Sequence, residues 1–110
     1  MNTHATNEFL DVGDDLEITK VAKRKSAPGT WVDGTLAGHR FNALVFPEHA
    51  EVADYELGQS KISKLWVQRI ADKKQVYHWD RGLDQKAADA TVAAIVDFLC
   101  AGLANYVYAE

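Results

Sequence analysis

Thr30-Trp31-Val32-Asp33-Gly34-Thr35-Leu36-Ala37-Gly38-His39-Arg40-Phe41-Asn42-Ala43-Leu44-Val45-Phe46 is the stretch that decides the fold. β-favouring residues flank an Ala37-Gly38 turn, the pattern of a β-hairpin. Folding about that turn pairs Leu36 with His39, Gly34 with Phe41 and Val32 with Ala43. Because strand side chains alternate, this register collects Val32, Leu36, Phe41, Ala43 and Val45 on one face and Asp33, Thr35, Arg40 and Asn42 on the other. That is the segregation a half-buried sheet requires. Gly34 opposite Phe41 leaves room for the ring to lie over neighbouring backbone, which offsets glycine's weak strand preference. Pro47, which lacks a ladder N–H, ends the second strand.

A second hairpin follows, from Lys61 to Ile70 and from Gln75 to Asp80 around Asp72, Lys73 and Lys74. A three-residue loop aligns Leu65 and Val67 with Tyr77 and Trp79, whereas a two-residue loop sets Trp66 beside Trp79. The three-residue loop is preferred because it gives the more continuous apolar face. Asp84 has the chemistry of an N-cap for a helix starting at Gln85. Ala88, Val92, Ile95, Leu99 and Leu103 then recur at helical spacing, with Val96 and Phe98 widening the stripe to about Ala104. A helix of that length spans about 30 Å, enough to cross a small sheet. The expected fold is α+β, a four-stranded, mainly antiparallel sheet of two hairpins packed on one long C-terminal helix, as a single domain over residues 30–110.

Ahead of this domain, residues 1–29 carry an acidic run (Glu8, Asp11, Asp14, Asp15, Glu17) and then a basic one (Lys20, Lys23, Arg24, Lys25). Leu16, Ile18 and Lys20 alternate with Glu17, Thr19 and Val21, a weak strand signal, before Ser26-Ala27-Pro28-Gly29 breaks the chain. The segment is read as partly disordered or as an edge strand, with residues 9–22 as a cover for the sheet's second face.

The chain has 110 residues, 47% of them hydrophobic and 25% charged, within the range of ordinary globular domains. A net charge of −4 argues against nucleic-acid binding, which needs a basic surface. The one cysteine, Cys100, has no partner for an intramolecular disulfide, which fits a reducing compartment. Met1 to Phe9 lacks the basic and apolar blocks of a signal peptide, and Asp97 and Asn105 interrupt the apolar run from Thr91 to Tyr108, so a cytoplasmic protein without a membrane anchor is expected.

Chemistry is sparsely signalled. His4, His39, His49 and His78 have neither the spacing nor the cysteine neighbours of a zinc site and read as solvated residues. No phosphate-binding glycine loop opens a helix. Cys100, between Leu99 and Ala101, reads as a small buried hydrophobe. The densest polar cluster is His78, Asp80, Arg81 and Asp84 around Gly82, where a histidine and carboxylates could support acid–base work. The simpler account is a strand end, a turn and a helix cap. No catalytic residue, metal or cofactor is assigned.

Two features point to partner binding instead. Trp66, flanked by Lys64 and Gln68, lies on the face opposite Leu65 and Val67, either covered by another segment or available to a partner. The stretch from Glu48 to Ser60 reads as a long loop carrying Glu48, Glu51, Asp54 and Glu56 without a Lys or Arg, with Tyr55 near its tip. Loops of that length are often functional. Taken alone, its charge suits a basic partner.

Three blocks add a resemblance: Trp31-Val32-Asp33-Gly34-Thr35-Leu36-Ala37-Gly38-His39-Arg40-Phe41, Lys61-Ile62-Ser63-Lys64-Leu65, and Tyr77-His78-Trp79-Asp80-Arg81-Gly82-Leu83-Asp84. Together they resemble a family of short, uncharacterised proteins of phages and bacterial mobile elements, marked by a Trp-x-x-Gly hairpin, an Ile-Ser-Lys-Leu strand and an Asp-Arg-Gly turn. Leu83 departs from the family's pattern, which has an aromatic residue there. The resemblance implies phage or prophage context and carries no catalytic residue. The resulting expectation is a non-enzymatic module that inhibits a bacterial defence or host complex by occupying a surface, in the manner of an anti-CRISPR protein. Its contacts are Trp66, Glu48, Glu51, Asp54, Tyr55 and Glu56, and its partner is a host or phage protein complex. A homodimer stays open, and the alternative is a small enzyme using His78 and Asp80.

Overall fold

Both hairpins form, the first in the expected register. The structure is a computed structural model that describes residues 15–108. Leu36 pairs with His39, Gly34 with Phe41 and Val32 with Ala43. In the second hairpin Leu65 pairs with Trp79 and Val67 with Tyr77, so these four share one face as expected. A register shift after Val67 sets Gln68 against Gln75, and the Arg69 N–H to Lys74 O bond closes the hairpin around residues 70–73 rather than around a three-residue loop at Asp72-Lys73-Lys74. Ala37 and Gly38 both take positive φ, 50° and 75°, giving the turn a twist that matches the strands it joins. The Ala37 N–H is held by Asp15 Oδ1 at 2.9 Å.

The sheet has six strands, not four. They lie in chain order, each antiparallel to the next: β1 (Glu17–Lys23), β2 (Thr30–Leu36), β3 (His39–Val45), β4 (Ile62–Arg69), β5 (Gln75–Asp80) and β6 (Leu83–Gln85). The first addition is the edge strand that the weak alternation at residues 16–21 suggested, so part of the 1–29 segment is integral to the sheet. A register shift between Ile18 and Lys20 puts Ile18 and Val21 on the core side and aligns Lys20 with Asp33. Lys20 therefore does not share a face with Ile18, because one extra residue inverts the alternation that follows it. Lysines and a bulge on an outer strand also discourage edge-to-edge pairing. Residues 15–22 flank β2 rather than lying over Trp66; residues 9–14 are outside the described part.

The second addition displaces the expected helix start. Leu83 pairs with Trp79 and Gln85 with His78, while the Gln85 side chain bonds both the carbonyl and the side chain of Gln75. This pairing claims residues 83–85 for the sheet. The helix α1 runs from Ala90 to Tyr108, and its cap is Asp89, whose Oδ1 accepts the Val92 N–H at 2.9 Å. Asp84 and Asp89 are equally suited to capping by residue type; what separates them is the partner that β5 offers the first.

Val92, Ile95, Val96, Leu99 and Leu103 form the buried stripe of α1 and meet Val32, Phe41, Ala43, Leu65 and Val67 from the sheet. The helix runs diagonally. At its start Ala88 N–H donates to Val76 O, and at its end Tyr108 Oη donates to Val45 O at 3.0 Å and accepts from Thr30 Oγ1 at 2.9 Å. By length and composition α1 could also cross a membrane, but here its apolar stripe is applied to the sheet. His39, expected in solvent at the turn, is only 7% exposed, because its position in β3 turns it to the core side. Its Nδ1 bonds Ala37 O at 2.7 Å.

The tightest point is Gly34. A Cβ there would stand 2.6 Å from Glu17 O and 2.8 Å from the Phe41 ring. Gly34→Ala should therefore destabilise by about 1–3 kcal/mol in thermal or denaturant unfolding. Leu99→Ala should cost about 2–5 kcal/mol. Asp89→Ala should cost about 0.5–2 kcal/mol as a lost cap, and Asp84→Ala distinctly less. The reverse order for the two aspartates would contradict the observed helix start.

Candidate functional site

The acidic stretch is a folded loop. Phe46 N–H donates to Lys61 O and Leu57 N–H to Ile62 O, closing its base, and a single 3-10 turn at Ala53–Tyr55 forms its tip. Glu56 organises it from within. Its carboxylate accepts the Ala50 N–H at 2.7 Å and the Lys61 N–H at 2.8 Å, and bonds His49 Nδ1 at 2.7 Å. Burial by itself would raise the Glu56 pKa. The bonds from Ala50, His49 and Lys61 together outweigh it and hold the carboxyl below its ordinary value. Glu56 is thus removed from the expected contact surface: at 6% exposure it is committed to its own loop. Glu48, Glu51 and Asp54 remain exposed, and Tyr55 is 49% exposed.

This loop forms one wall of a groove of about 510 Å³ at the Thr30/Ile62 end of the sheet. Leu44, Phe46, Pro47 and Pro28 contribute its apolar lining, and Arg24, Lys61, Lys64 and Arg81 bring four cations to it. Three aromatic rings lie under cations: Phe46 under Arg24 at 5.5 Å, Trp31 under Lys64 at 6.0 Å, and Tyr55 under Arg81 at 6.0 Å. Lys64 Nζ and Arg81 Nε share one carboxylate oxygen, Asp80 Oδ1, each at 3.8 Å. Among the described residues neither Arg24 nor Lys61 is ion-paired, although Glu48 and Glu51 line the same groove. Arg81 and Lys61 hold left-handed backbone, φ 55° and 65°, which is costly for residues other than glycine. Arg81 keeps it within the Asp80-Arg81-Gly82 turn, where its N–H donates to Ser63 O at 2.8 Å.

The sheet face away from α1 continues from this groove. Asp33, Asn42, Trp66 and His78 form one cross-strand row over β2 to β5, and Trp31, Leu44, Lys64 and Asp80 form the next. Trp66 is half-buried in its row, and Asn42 Nδ2 donates to Asp33 Oδ1 at 2.6 Å beside it. His78 Nδ1 bonds Asp84 Oδ2 at 2.7 Å, so its carboxylate partner is Asp84 and not Asp80. Sequence proximity brought the right cluster together and assigned the wrong pair, because Asp80 points along the Lys64 row while β6 returns Asp84 to His78.

Cys100 is partly buried, and burial pushes its thiol up to about 11, which leaves little thiolate at neutral pH. Burial likewise raises Tyr77, to about 12. Among the described residues no three of His, Cys, Asp and Glu are placed to hold a metal ion. The groove cations were not singled out by sequence. Arg24, Lys61, Lys64 and Arg81 come from three separate segments, the β1–β2 turn, the start of β4 and the β5–β6 turn, and nothing local to any of them points to the other two.

What the geometry defines is a sheet-and-helix domain with one face packed, the other half-open, and a cation-lined groove at its end. Residues 30–104 match the family described as a domain of unknown function (DUF7678), and the chain belongs to that family. The match spans β2 through most of α1 and leaves β1 outside. No characterised protein and no solved structure matches the chain.

Glu56 sets a pH dependence. A carboxyl whose pKa is lowered by folding contributes stability above its unfolded value, ordinarily 4.5, and that contribution is lost as pH falls through the folded value. Protection of the Ala50 and Lys61 amides against hydrogen exchange, taken relative to their intrinsic rate at each pH, should therefore be high at neutral pH and fall on acidification below the ordinary carboxylate range. Glu56→Gln should cost roughly 1–3 kcal/mol at neutral pH and flatten that acid response. Unchanged protection in the variant would show that the carboxylate does not hold the loop.

Proposed function

We propose that the protein is a small binding module that acts by occupying the surface of a protein partner, with no chemistry of its own. The observation that carries this reading is the half-open sheet face, where Trp66 stands between Asn42 and His78 in a row that leads to the groove. A large, partly exposed aromatic at the centre of a polar field is the usual make-up of an interface anchor. Tyr55 adds contact area in the groove, with Glu48, Glu51 and Asp54 on the same loop. The phage resemblance implies the wider setting: a host or phage protein complex in the bacterial cytoplasm, in particular a defence complex, inhibited by steric cover. The enzyme alternative draws on the His78–Asp84 pair, a base held by a carboxylate. Neither residue lines the groove, and Cys100, the one thiol, is not activated.

Tagged wild-type and Trp66→Gln proteins should be compared by capture from a bacterial lysate, with bound proteins quantified by mass spectrometry. The wild type should retain a specific partner, and Trp66→Gln should lose it at least about tenfold, as expected for an interface anchor, while still unfolding cooperatively. Equal retention by the two proteins would remove the Trp66 face from the interface.

A further inference from the structure

We infer that the groove takes an acidic segment of the partner, with a carboxylate side chain set beside an apolar one. This rests on the binding-module reading and gives the partner a chemistry. The charge of the acidic loop taken alone suggests a basic partner. The fold changes the balance, because it gathers Arg24, Lys61, Lys64 and Arg81 from three segments against a loop whose Glu56 is already spent on its own backbone. A chain of net charge −4 has thus concentrated cations at one concave place.

The groove's form selects the ligand further. Its volume of about 510 Å³ lies in the range of sites that enclose small ligands or short peptide segments. Leu44 and Phe46 suit an apolar side chain, while the planar guanidinium of Arg81 suits the two oxygens of a carboxylate. Arg81 is held for this by a left-handed turn that glycine would adopt more readily, the kind of local strain found at ligand clamps. Its contact with Asp80, at 3.8 Å and shared with Lys64, is long enough to give way to an incoming carboxylate. Glu48 and Glu51 on the facing wall set the upper limit of ligand charge. They disfavour a dianionic phosphate or a polynucleotide more than they disfavour a single carboxylate.

Isotope-labelled protein should be titrated with an amide-capped peptide of alternating leucine and aspartate, followed by NMR. The controls are the leucine–asparagine peptide and the leucine–phosphoserine peptide. Saturable shifts are expected at Leu44, Phe46, Lys64 and Arg81, with the asparagine peptide at least about tenfold weaker, the difference a charge-assisted contact makes. Arg81→Gly should weaken the aspartate peptide about tenfold without lowering the melting temperature, because glycine relieves the left-handed strain. Lys64→Gln should weaken it too, and Glu48→Gln with Glu51→Gln should tighten it. Equal binding of the asparagine peptide, or wild-type affinity in both Arg81→Gly and Lys64→Gln, would overturn the proposal. Tighter binding of the phosphoserine peptide would replace the carboxylate with phosphate and overturn it as well. If no peptide binds while partner capture still depends on Trp66, the module stands and the acidic occupant of the groove is lost.

Discussion

Phe41 lies across Gly34, and this one close approach underlies the geometry of the whole sheet. The ring occupies the space where a side chain on β2 would stand, and the carbonyl of Glu17 on β1 closes on the same point from the other side. Three strands are thereby fixed relative to one another at a single residue. Because a slip of one residue would turn every core side chain to the opposite face, fixing that register also decides which face α1 covers.

The face left free by α1 inherits its properties from the same register. Trp66 faces Asn42 and His78 because Leu65 and Val67, its neighbours along β4, are needed in the core. The groove arises where the regular sheet ends and connections must turn: the β1–β2 turn brings Arg24, the long β3–β4 loop brings Phe46 and Lys61, and the β5–β6 turn brings Arg81. Glu56 then holds the long loop as a wall, using a buried carboxylate to satisfy backbone N–H groups that a loop otherwise leaves to water. Structure and proposed binding surface are therefore continuous. The elements that stabilise the loop are the ones that shape the groove.

How much of this could be read in advance differs by element. The first hairpin was legible down to its residue pairs, since alternation and a two-residue turn are local properties. The helical stripe was legible for the same reason, but its start was not. Asp84 and Asp89 carry the same side chain, and the choice between them depends on β5 being close enough to pair residues 83–85. The face on which Trp66 lies was legible, by its place opposite two core residues, but whether another segment covers it was not. Glu56 was misread as a surface contact, because it follows Glu48, Glu51 and Asp54 in an acidic stretch while its real partners are His49 and the backbone groups at Ala50 and Lys61.

The sequence by itself determined the period-two and helical patterns, the central hairpin register, the α+β class and the placing of Trp66 on the face opposite Leu65 and Val67, because each follows from neighbours within a few positions. Only the tertiary structure decided the outer strands, the capping residue, the inward turn of Glu56, and the meeting of Arg24, Lys61, Lys64 and Arg81 around one groove. Those depend on distances between segments remote along the chain. A charge or a hydrogen-bonding group takes its role from whatever the fold places beside it, and that neighbour is not written in its local sequence.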